Sequence, residues 1–280
     1  MLLSSRGGSV LKSSTIAAAK ATVLSLFVLG CESLFDYSPY SIESDSQQRT
    51  AIHLSRVENA SLPHFEPFRF ALTADTHAYY EQADKLVQVL NQRHDIAFLL
   101  IAGDLTDYGM QQEYQWKTDI LDRLTIPYLT VIGNHDALNN GKENYQAFFG
   151  GFDYSFVYNQ VKFVVLNSNS WEFDNTVPRL DWLQAELDND FLYQHQIVLT
   201  HIGPHDQRFI PQPSQDYLTV LKQYFVSLVA AGHDHLHTYS EEILSNGQTI
   251  GYLTTGTLKD SAYVVVTVES GSIRIDREHL

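Results

Sequence analysis

Five apolar runs in this chain each stop at residues able to bind metals or move protons, and that repetition limits the folds open to it. Phe68-Arg69-Phe70-Ala71-Leu72 leads to Asp75-Thr76-His77, and Ile96–Ala102 leads to Gly103-Asp104-Leu105-Thr106-Asp107. Tyr128–Ile132 leads to Gly133-Asn134-His135-Asp136, Gln196–Thr200 to His201, and Leu228–Ala231 to Gly232-His233-Asp234-His235. Each run has the length and composition of a buried strand. Between them, Ala83, Leu86, Val87 and Leu90 fall at helical spacing, Trp116, Ile120 and Leu124 mark another helix, and a third opens at Pro178 with Leu180, Leu183 and Leu187 on one face. Residues 156–158 and 161–166 around Asn159-Gln160, and residues 263–268 and 273–275 across Glu269-Ser270-Gly271, read as hairpins. Buried strands alternating with helices predict an α/β protein, its sheet largely buried under helices. In open α/β sheets ligands bind beyond the carboxyl ends of the strands, so the five tips are expected to meet at one site.

The residue types at those tips set the chemistry. One polar tip alone, such as Asn134-His135-Asp136, is equally a turn capping the helix near Asn144. Five such tips together offer carboxylate, imidazole and amide donors without a thiolate, a set suited to Mn, Fe or Zn. About seven ligands exceed what one tetrahedral Zn²⁺ takes and match a two-metal centre.

Charge adds a constraint. The 280 residues hold 18 Lys and Arg against 33 Asp and Glu, a net charge of −15, with 44% hydrophobic content. Such a composition is not that of a disordered chain. The acidity argues against sequence-independent binding of long nucleic acids, which needs a basic surface. An acidic protein that handles an anionic substrate must supply positive charge locally, and bound metal ions do that.

Residues 1–30 read as a targeting segment: Arg6, Lys12 and Lys20 precede a short apolar run, Ala21 to Gly30, too short to span a bilayer. The run ends Phe27-Val28-Leu29-Gly30-Cys31, similar to a bacterial lipobox, and Cys31 is the only cysteine. The expectation is cleavage before Cys31 and acylation there, holding the protein on a bacterial envelope membrane on its periplasmic or cell-surface side. An ordinary secretory signal and a transit peptide are the alternatives. Residues 31–65 are polar and irregular and read as a tether with a short helix around Ala51–Val57, leaving 66–280 as one domain.

Taken in order, Asp75-Thr76-His77, Gly103-Asp104 with Asp107, Gly133-Asn134-His135-Asp136, His201 and Gly232-His233-Asp234-His235 resemble the calcineurin-like metallophosphoesterase superfamily, as does Thr255-Gly256-Thr257 before the last hairpin. The resemblance implies a four-layer α/β/β/α sandwich of mixed sheets with the metal site at the strand ends. It implies that Asp75, His77 and His235 bind a first divalent ion, that Asn134, His201 and His233 bind a second, and that Asp104 bridges them. It implies hydrolysis of a small phosphoester by in-line attack of a hydroxide held between the metals, with His135 assisting the leaving oxygen and the Asp107 carboxylate orienting His135. Asp136 is expected to support or cap rather than to ligate. Purple acid phosphatases carry a tyrosine ligand where this chain has Asp107. Ser/Thr protein phosphatases carry an arginine where it has Tyr108 and a glutamate where it has Asp136. The pattern is therefore closer to class III cyclic-nucleotide phosphodiesterases, although His201-Ile202-Gly203-Pro204 is one residue longer than the usual fourth motif. The missing arginine favours a diester. A phosphomonoesterase and a metal-binding module without catalysis are the other readings. Of the remaining side chains, His205, His237 and Trp171 are candidates to line the substrate pocket, while His53, His64, His94, His195 and His279 are expected to be surface or satisfied histidines, and Trp116 and Trp182 core.

Overall fold

A computed structural model describes residues 47–188, 192–206 and 211–280. The basic leader, Cys31 and the first part of the polar segment lie outside the described residues. Helix α1 (Arg49–Ala60) precedes β1 (Phe68–Thr73), α2 (Tyr80–Asn91), β2 (Leu99–Ile101), α3 (Gln111–Leu121), β3 (Tyr128–Thr130) and α4 (Gly141–Phe148). The hairpin of β4 (Tyr154–Tyr158) and β5 (Val161–Leu166) follows, then α5 (Leu180–Leu187), β6 (His195–Thr200), α6 (Pro211–Gln223) and β7 (Val226–Ala231). The chain closes with β8 (Thr238–Ile243), β9 (Thr249–Thr254), a 3₁₀ turn (Leu258–Asp260), β10 (Ala262–Glu269) and β11 (Ser272–His279).

The strands form two mixed sheets, ordered β11-β10-β1-β2-β3 and β4-β5-β6-β7-β9-β8. In the first, β1, β2 and β3 are parallel and β10 runs antiparallel to β1. In the second, β5, β6, β7 and β9 are parallel, with β4 and β8 antiparallel at the edges. Successive side chains of a strand point to opposite faces, and here both faces are covered. Phe70, Leu72, Leu100 and Leu129 of the first sheet share one core with Phe163, Val165, Ile197, Leu199 and Leu228 of the second. Phe156 stacks on Phe163 at 4.7 Å and Phe70 meets Phe163 edge-on at 5.5 Å. The alternate residues Ala71, Leu99 and Ile101 pack under α2, α3 and α4 through Leu86, Leu90, Tyr114, Tyr145 and Phe148. Val164, Leu166, Val198 and Val229 pack under α5 and α6 through Leu183, Leu187, Tyr217 and Leu221. The result is four layers, helices–sheet–sheet–helices, as expected. Burial on both faces is why the strands read as unbroken apolar runs.

Several details differ from expectation. The polar segment before residue 66 is not all tether: α1 buries Thr50, His53 and Val57, and Val57 joins the inter-sheet core. Arg49 pairs with Asp122 at 2.8 Å, and the Arg56 guanidinium donates to the Thr125 carbonyl at 2.6 Å. Helix α1 therefore packs on the layers that follow it, because Thr50, His53 and Val57 fall on one face at helical spacing, Leu54 adds to the core contact, and Arg49 and Arg56 bond across. Strand β8 was not legible, since it is an exposed, charged edge, the usual guard against edge-to-edge pairing. Helix α6 adds to the expected elements, with Tyr217, Val220 and Leu221 on its buried face. Trp116 is half exposed rather than core and lies edge-on to Tyr80 at 5.9 Å. His195 is a satisfied histidine, its ring nitrogens 2.9 Å from Ser227 Oγ and 2.7 Å from the Glu269 carbonyl.

His53 makes the seating of α1 sensitive to acid. Its Nδ1 accepts from the Tyr128 N–H at 3.3 Å, and burial, with the nearby Arg56 charge, pushes its pKa down to about 4. The folded state thus resists a proton that the unfolded chain accepts near pH 6.5. Stability from this group is complete above that pH and falls as pH drops toward 4. In chelator, denaturant titrations at pH 7 and pH 5 should show His53→Asn losing about 2 kcal/mol less than the parent between the two pH values.

Candidate metal centre

The strand tips place the candidate ligands by unusual backbone. Asp75, His77, Asp104, His233 and His235 all have positive φ, at 50°, 34°, 53°, 75° and 58°. Non-glycine residues enter that region at about 1–3 kcal/mol each and persist there only where surrounding structure holds them. Several contacts do so. The Asp75 N–H donates to the Gly103 carbonyl at 3.0 Å, the His77 N–H to the Asp104 carbonyl at 3.0 Å, and Thr257 Oγ1 to the Asp75 carbonyl at 2.9 Å. The glycines of the tips have a steric reason as well. Gly103, at φ +85°, abuts the His201 ring, and a Cβ at Gly133 would fall on the Asp104 carboxylate.

Two groups of donors result. Asp75, His77, Asp104 and His235 offer atoms within 4.8 Å of one another, and so do Asp104, His201 and His233. Asp104 belongs to both. Its Oδ1 accepts from the His135 N–H at 3.0 Å, while its Oδ2 lies 3.7 Å from His77 Nε2 and 3.4 Å from His201 Nε2. Asn134 joins the second group, its Oδ1 3.0 Å from His201 Nε2, and His233 Nδ1 is 3.2 Å from that same nitrogen. In the first group, His77 Nε2 and His235 Nε2 face each other at 3.4 Å, and Asp75 Oδ1 lies 3.4 Å from His235 Nε2. All seven ligand candidates are thereby brought together.

The donor chemistry fits two divalent ions. His201 Nδ1 donates to the Ala102 carbonyl at 2.7 Å, and His77 Nδ1 lies 3.1 Å from the Asp107 carboxylate. With Nδ1 bonded in this way, Nε2 is the ring nitrogen left facing the other ligands, the one that a metal would take in place of a proton. The charge balance agrees. Burial alone would raise the Asp104 carboxyl, but the imidazoles of His201, His77 and His135 outweigh it and hold the pKa well below the usual range. Burial alone would lower His201, but Asp104 and then Asp75 push it up to about 10. The site attracts positive charge at its centre.

The structure corrects the expected role of Asp107. Its carboxylate faces His77, whereas His135 Nδ1 donates to the Asp107 main-chain carbonyl at 2.8 Å. The β2 tip turns so that the carbonyl, not the side chain, reaches His135. Asp136 is fully buried and accepts from the N–H groups of Gly133, Leu105 and Thr106 and from the Thr106 hydroxyl, at 2.9–3.1 Å. It ties the β2 tip to the β3 tip; burial and then the Asp104 charge push its pKa up to about 7, against the pull of those donors.

Other residues were not singled out from sequence. Asp206 Oδ2 lies 3.8 Å from His233 Nε2, on the ring edge away from His201. Buried Lys117 donates to the Thr76 carbonyl at 3.1 Å, bracing the Asp75–His77 turn. Neither lies in a motif, although an apolar helix face interrupted by lysine was a visible signal for the second. Trp171 lines a cavity of about 260 Å³ together with Asn134 and His233. His205 lies edge-on to Tyr252 at 4.6 Å beside a second cavity, and His237 lines a third recess; neither belongs to the two donor groups.

Residues 68–237 match the model of the calcineurin-like phosphoesterase family. The chain belongs to that family. Membership makes it a metal-dependent phosphoester hydrolase, of a family that uses two metals. A probable cyclic nucleotide phosphodiesterase of Rhodopseudomonas palustris is 30% identical over 95 residues, 30% of this chain and 33% of that protein. A 3′,5′-cyclic-nucleotide phosphodiesterase of Nostoc is 25% identical over 204 residues, 67% of this chain and 73% of that protein. The match thus spans a third of the length of the first relative and about three quarters of the second. Among solved structures, PhoD superposes with a TM-score of 0.58 at 12% identity, covering 78% of this chain and 66% of that one. A 5′-nucleotidase from Candida albicans does so with a TM-score of 0.53 at 15% identity, covering 78% and 53%. These two likenesses concern the fold.

Because Asp104 serves both groups, substitutions should separate them. Asp104→Ala is expected to lose both equivalents of metal, and His235→Ala and Asn134→Ala about one each, with far-UV circular dichroism retained. Metal content after desalting, by plasma mass spectrometry, is the check.

Proposed function

We propose that the protein hydrolyses a small phosphodiester at a two-metal centre, with Asp75, His77 and His235 holding one divalent ion (Mn, Fe or Zn), Asn134, His201 and His233 the other, and Asp104 shared. The observation that carries the reading is the sharing itself: one carboxylate set between two donor groups suits two ions close enough to act on one phosphoryl group. Such ions, when bound, activate water and offset the charge of the ester.

The chain's own residues divide the remaining work. His135 stands beside the first group, its ring centroid 4.9 Å from that of His77. The Asp107 carbonyl holds its Nδ1–H, which directs Nε2 at the substrate, so that the imidazolium gives its Nε2 proton to the leaving oxygen. Asp107, through His77, acts as a positioning residue. Two considerations favour a diester. Tyr108 stands where related monoester phosphatases carry an arginine, and a diester has one negative charge to be gripped rather than two. The cyclic-nucleotide phosphodiesterases that this chain resembles are named for diesters.

With Mn²⁺ or Zn²⁺ restored to stripped protein, bis(p-nitrophenyl) phosphate should be turned over in preference to p-nitrophenyl phosphate. His135→Ala should lower kcat on the diester by about 10²-fold or more, with metal content unchanged. Preference for the monoester would make the protein a phosphatase, and no turnover of either with two ions bound would point to a binding module or to a narrowly selective pocket.

The same reading places the protein on a bacterial envelope membrane, periplasmic or cell-surface side, through acylated Cys31. The supporting feature is the sequence Phe27-Val28-Leu29-Gly30-Cys31 after a basic segment. Full-length protein expressed in a bacterium should sediment with membranes and incorporate labelled palmitate, and Cys31→Ser should do neither.

A further inference from the structure

Trp171 is 64% exposed, an expensive position for the largest apolar side chain unless something covers it. The loop that carries it is ordered. Asn169 Nδ2 donates to the Ile132 carbonyl at 2.8 Å, Ser168 Oγ accepts from the Ile202 N–H at 2.8 Å, and Ser170 Oγ donates to the Val177 carbonyl at 2.9 Å. The first two bonds fasten the loop to the ends of β3 and β6, which deliver Asn134 and His201, and the third closes the loop on itself. The loop also has an anchor other than the tryptophan: Phe173 packs against the helix-covered core, 5.0 Å from Phe152, with the Lys142 ammonium 4.6 Å from its ring centre. Trp171 thus stands exposed beside Asn134 and His233 on a turn whose packed aromatic is Phe173.

What lies beside it narrows the occupant. The cavity of about 260 Å³ is lined by Trp171, Ser168, Ser170 and Glu172 and by two candidate ligands of the second group, Asn134 and His233. That volume falls just below the range typical of drug-sized ligands, about 300–1,000 Å³, and suits one ring rather than a chain. The Glu172 carboxylate disfavours a second anionic group and accepts hydrogen bonds from a neutral one. His135, which faces the leaving oxygen, stands on the side of the first group. The cavity thus lies on the side of the substituent that stays on phosphorus.

We infer that Trp171 is a specificity-determining residue that stacks a neutral planar ring on the retained ester group, so that this enzyme selects phosphodiesters with an aromatic retained substituent over alkyl ones. The inference rests on the hydrolytic reading above, and the test separates the two. Stacking on an exposed aromatic face rewards any planar ring, so a plain phenyl group is a sufficient probe.

Phenyl p-nitrophenyl phosphate and ethyl p-nitrophenyl phosphate share a leaving group and differ only in the retained one. The ratio of kcat/KM for phenyl over ethyl should fall about 10-fold in Trp171→Ala, mainly through a higher KM for the phenyl ester, and Trp171→Phe should restore most of it. Metal content and circular dichroism establish that each variant is folded and loaded. An unchanged ratio, or an equal loss on both esters, overturns the inference. Calorimetry provides a readout independent of turnover: phenylphosphonate should bind the metal-loaded protein about 10-fold more tightly than methylphosphonate, and Trp171→Ala should erase the difference. If neither diester is hydrolysed but that preference holds, the hydrolytic reading fails and the role of Trp171 stands. If the phosphonates bind equally to the parent, the role fails.

Discussion

The carboxylate of Asp104 is the interaction on which the rest of the site depends. One oxygen is fixed by the His135 N–H and the other looks toward imidazoles of two different donor groups. Almost every local feature serves to keep it there: the left-handed backbone at Asp104 itself, the absence of a Cβ at Gly133, and the buried Asp136 that gathers the β2 and β3 tips with four hydrogen bonds. An ionised carboxylate this deeply buried is costly unless paired. Neighbouring imidazoles offset part of that cost, and the family's metals would complete it.

The two sheets matter for the same reason. Asp75, His77, Asp104 and Asn134 come from the tips of β1, β2 and β3, whereas His201, His233 and His235 come from β6 and β7 of the other sheet. Each donor group draws on both. The aromatic packing of Phe70, Phe98, Phe156 and Phe163 sets the distance between the sheets and so the distance between ligands. The core and the metal centre are parts of one constraint.

Much of this was legible in the sequence because burial on both faces leaves strands with no polar interruptions, and a ligand-type residue directly after such a run stands out. The seven candidate ligands, the two hairpins and the layered α/β class were readable for that reason. What was not readable had weaker or contrary signals. The helix around Ala51–Val57 was readable, but its docking was not: α1 buries Thr50, His53 and Val57 with Leu54 against the same core, few apolar groups in a polar segment. Strand β8 is an edge and carries charge where an interior strand carries valine. The placing of the Asp107 side chain on His77 and its carbonyl on His135 depends on the turn of the backbone, which residue types and spacing do not specify. Trp171 could be noticed from its polar neighbours, but its place in the cavity beside Asn134 and His233 follows from how the loop folds back on β3 and β6.

The order of strands in the first sheet has a consequence for how the metal centre is held. All seven candidate ligands lie between residues 75 and 235, yet β1, which presents Asp75 and His77, is flanked on one side by β10, and the Asp75 carbonyl is held by Thr257. A chain extended only through the last ligand therefore has β1 paired with β2 on one side but lacks β10 on the other, where Phe68 to Leu72 find their partners. The turn that carries Asp75 and His77 gains its last support, from β10 and Thr257, out of residues that follow every ligand. The N-terminal ligand turn is thus braced by the C-terminal strands, so the two ends of the described fold meet at the metal centre.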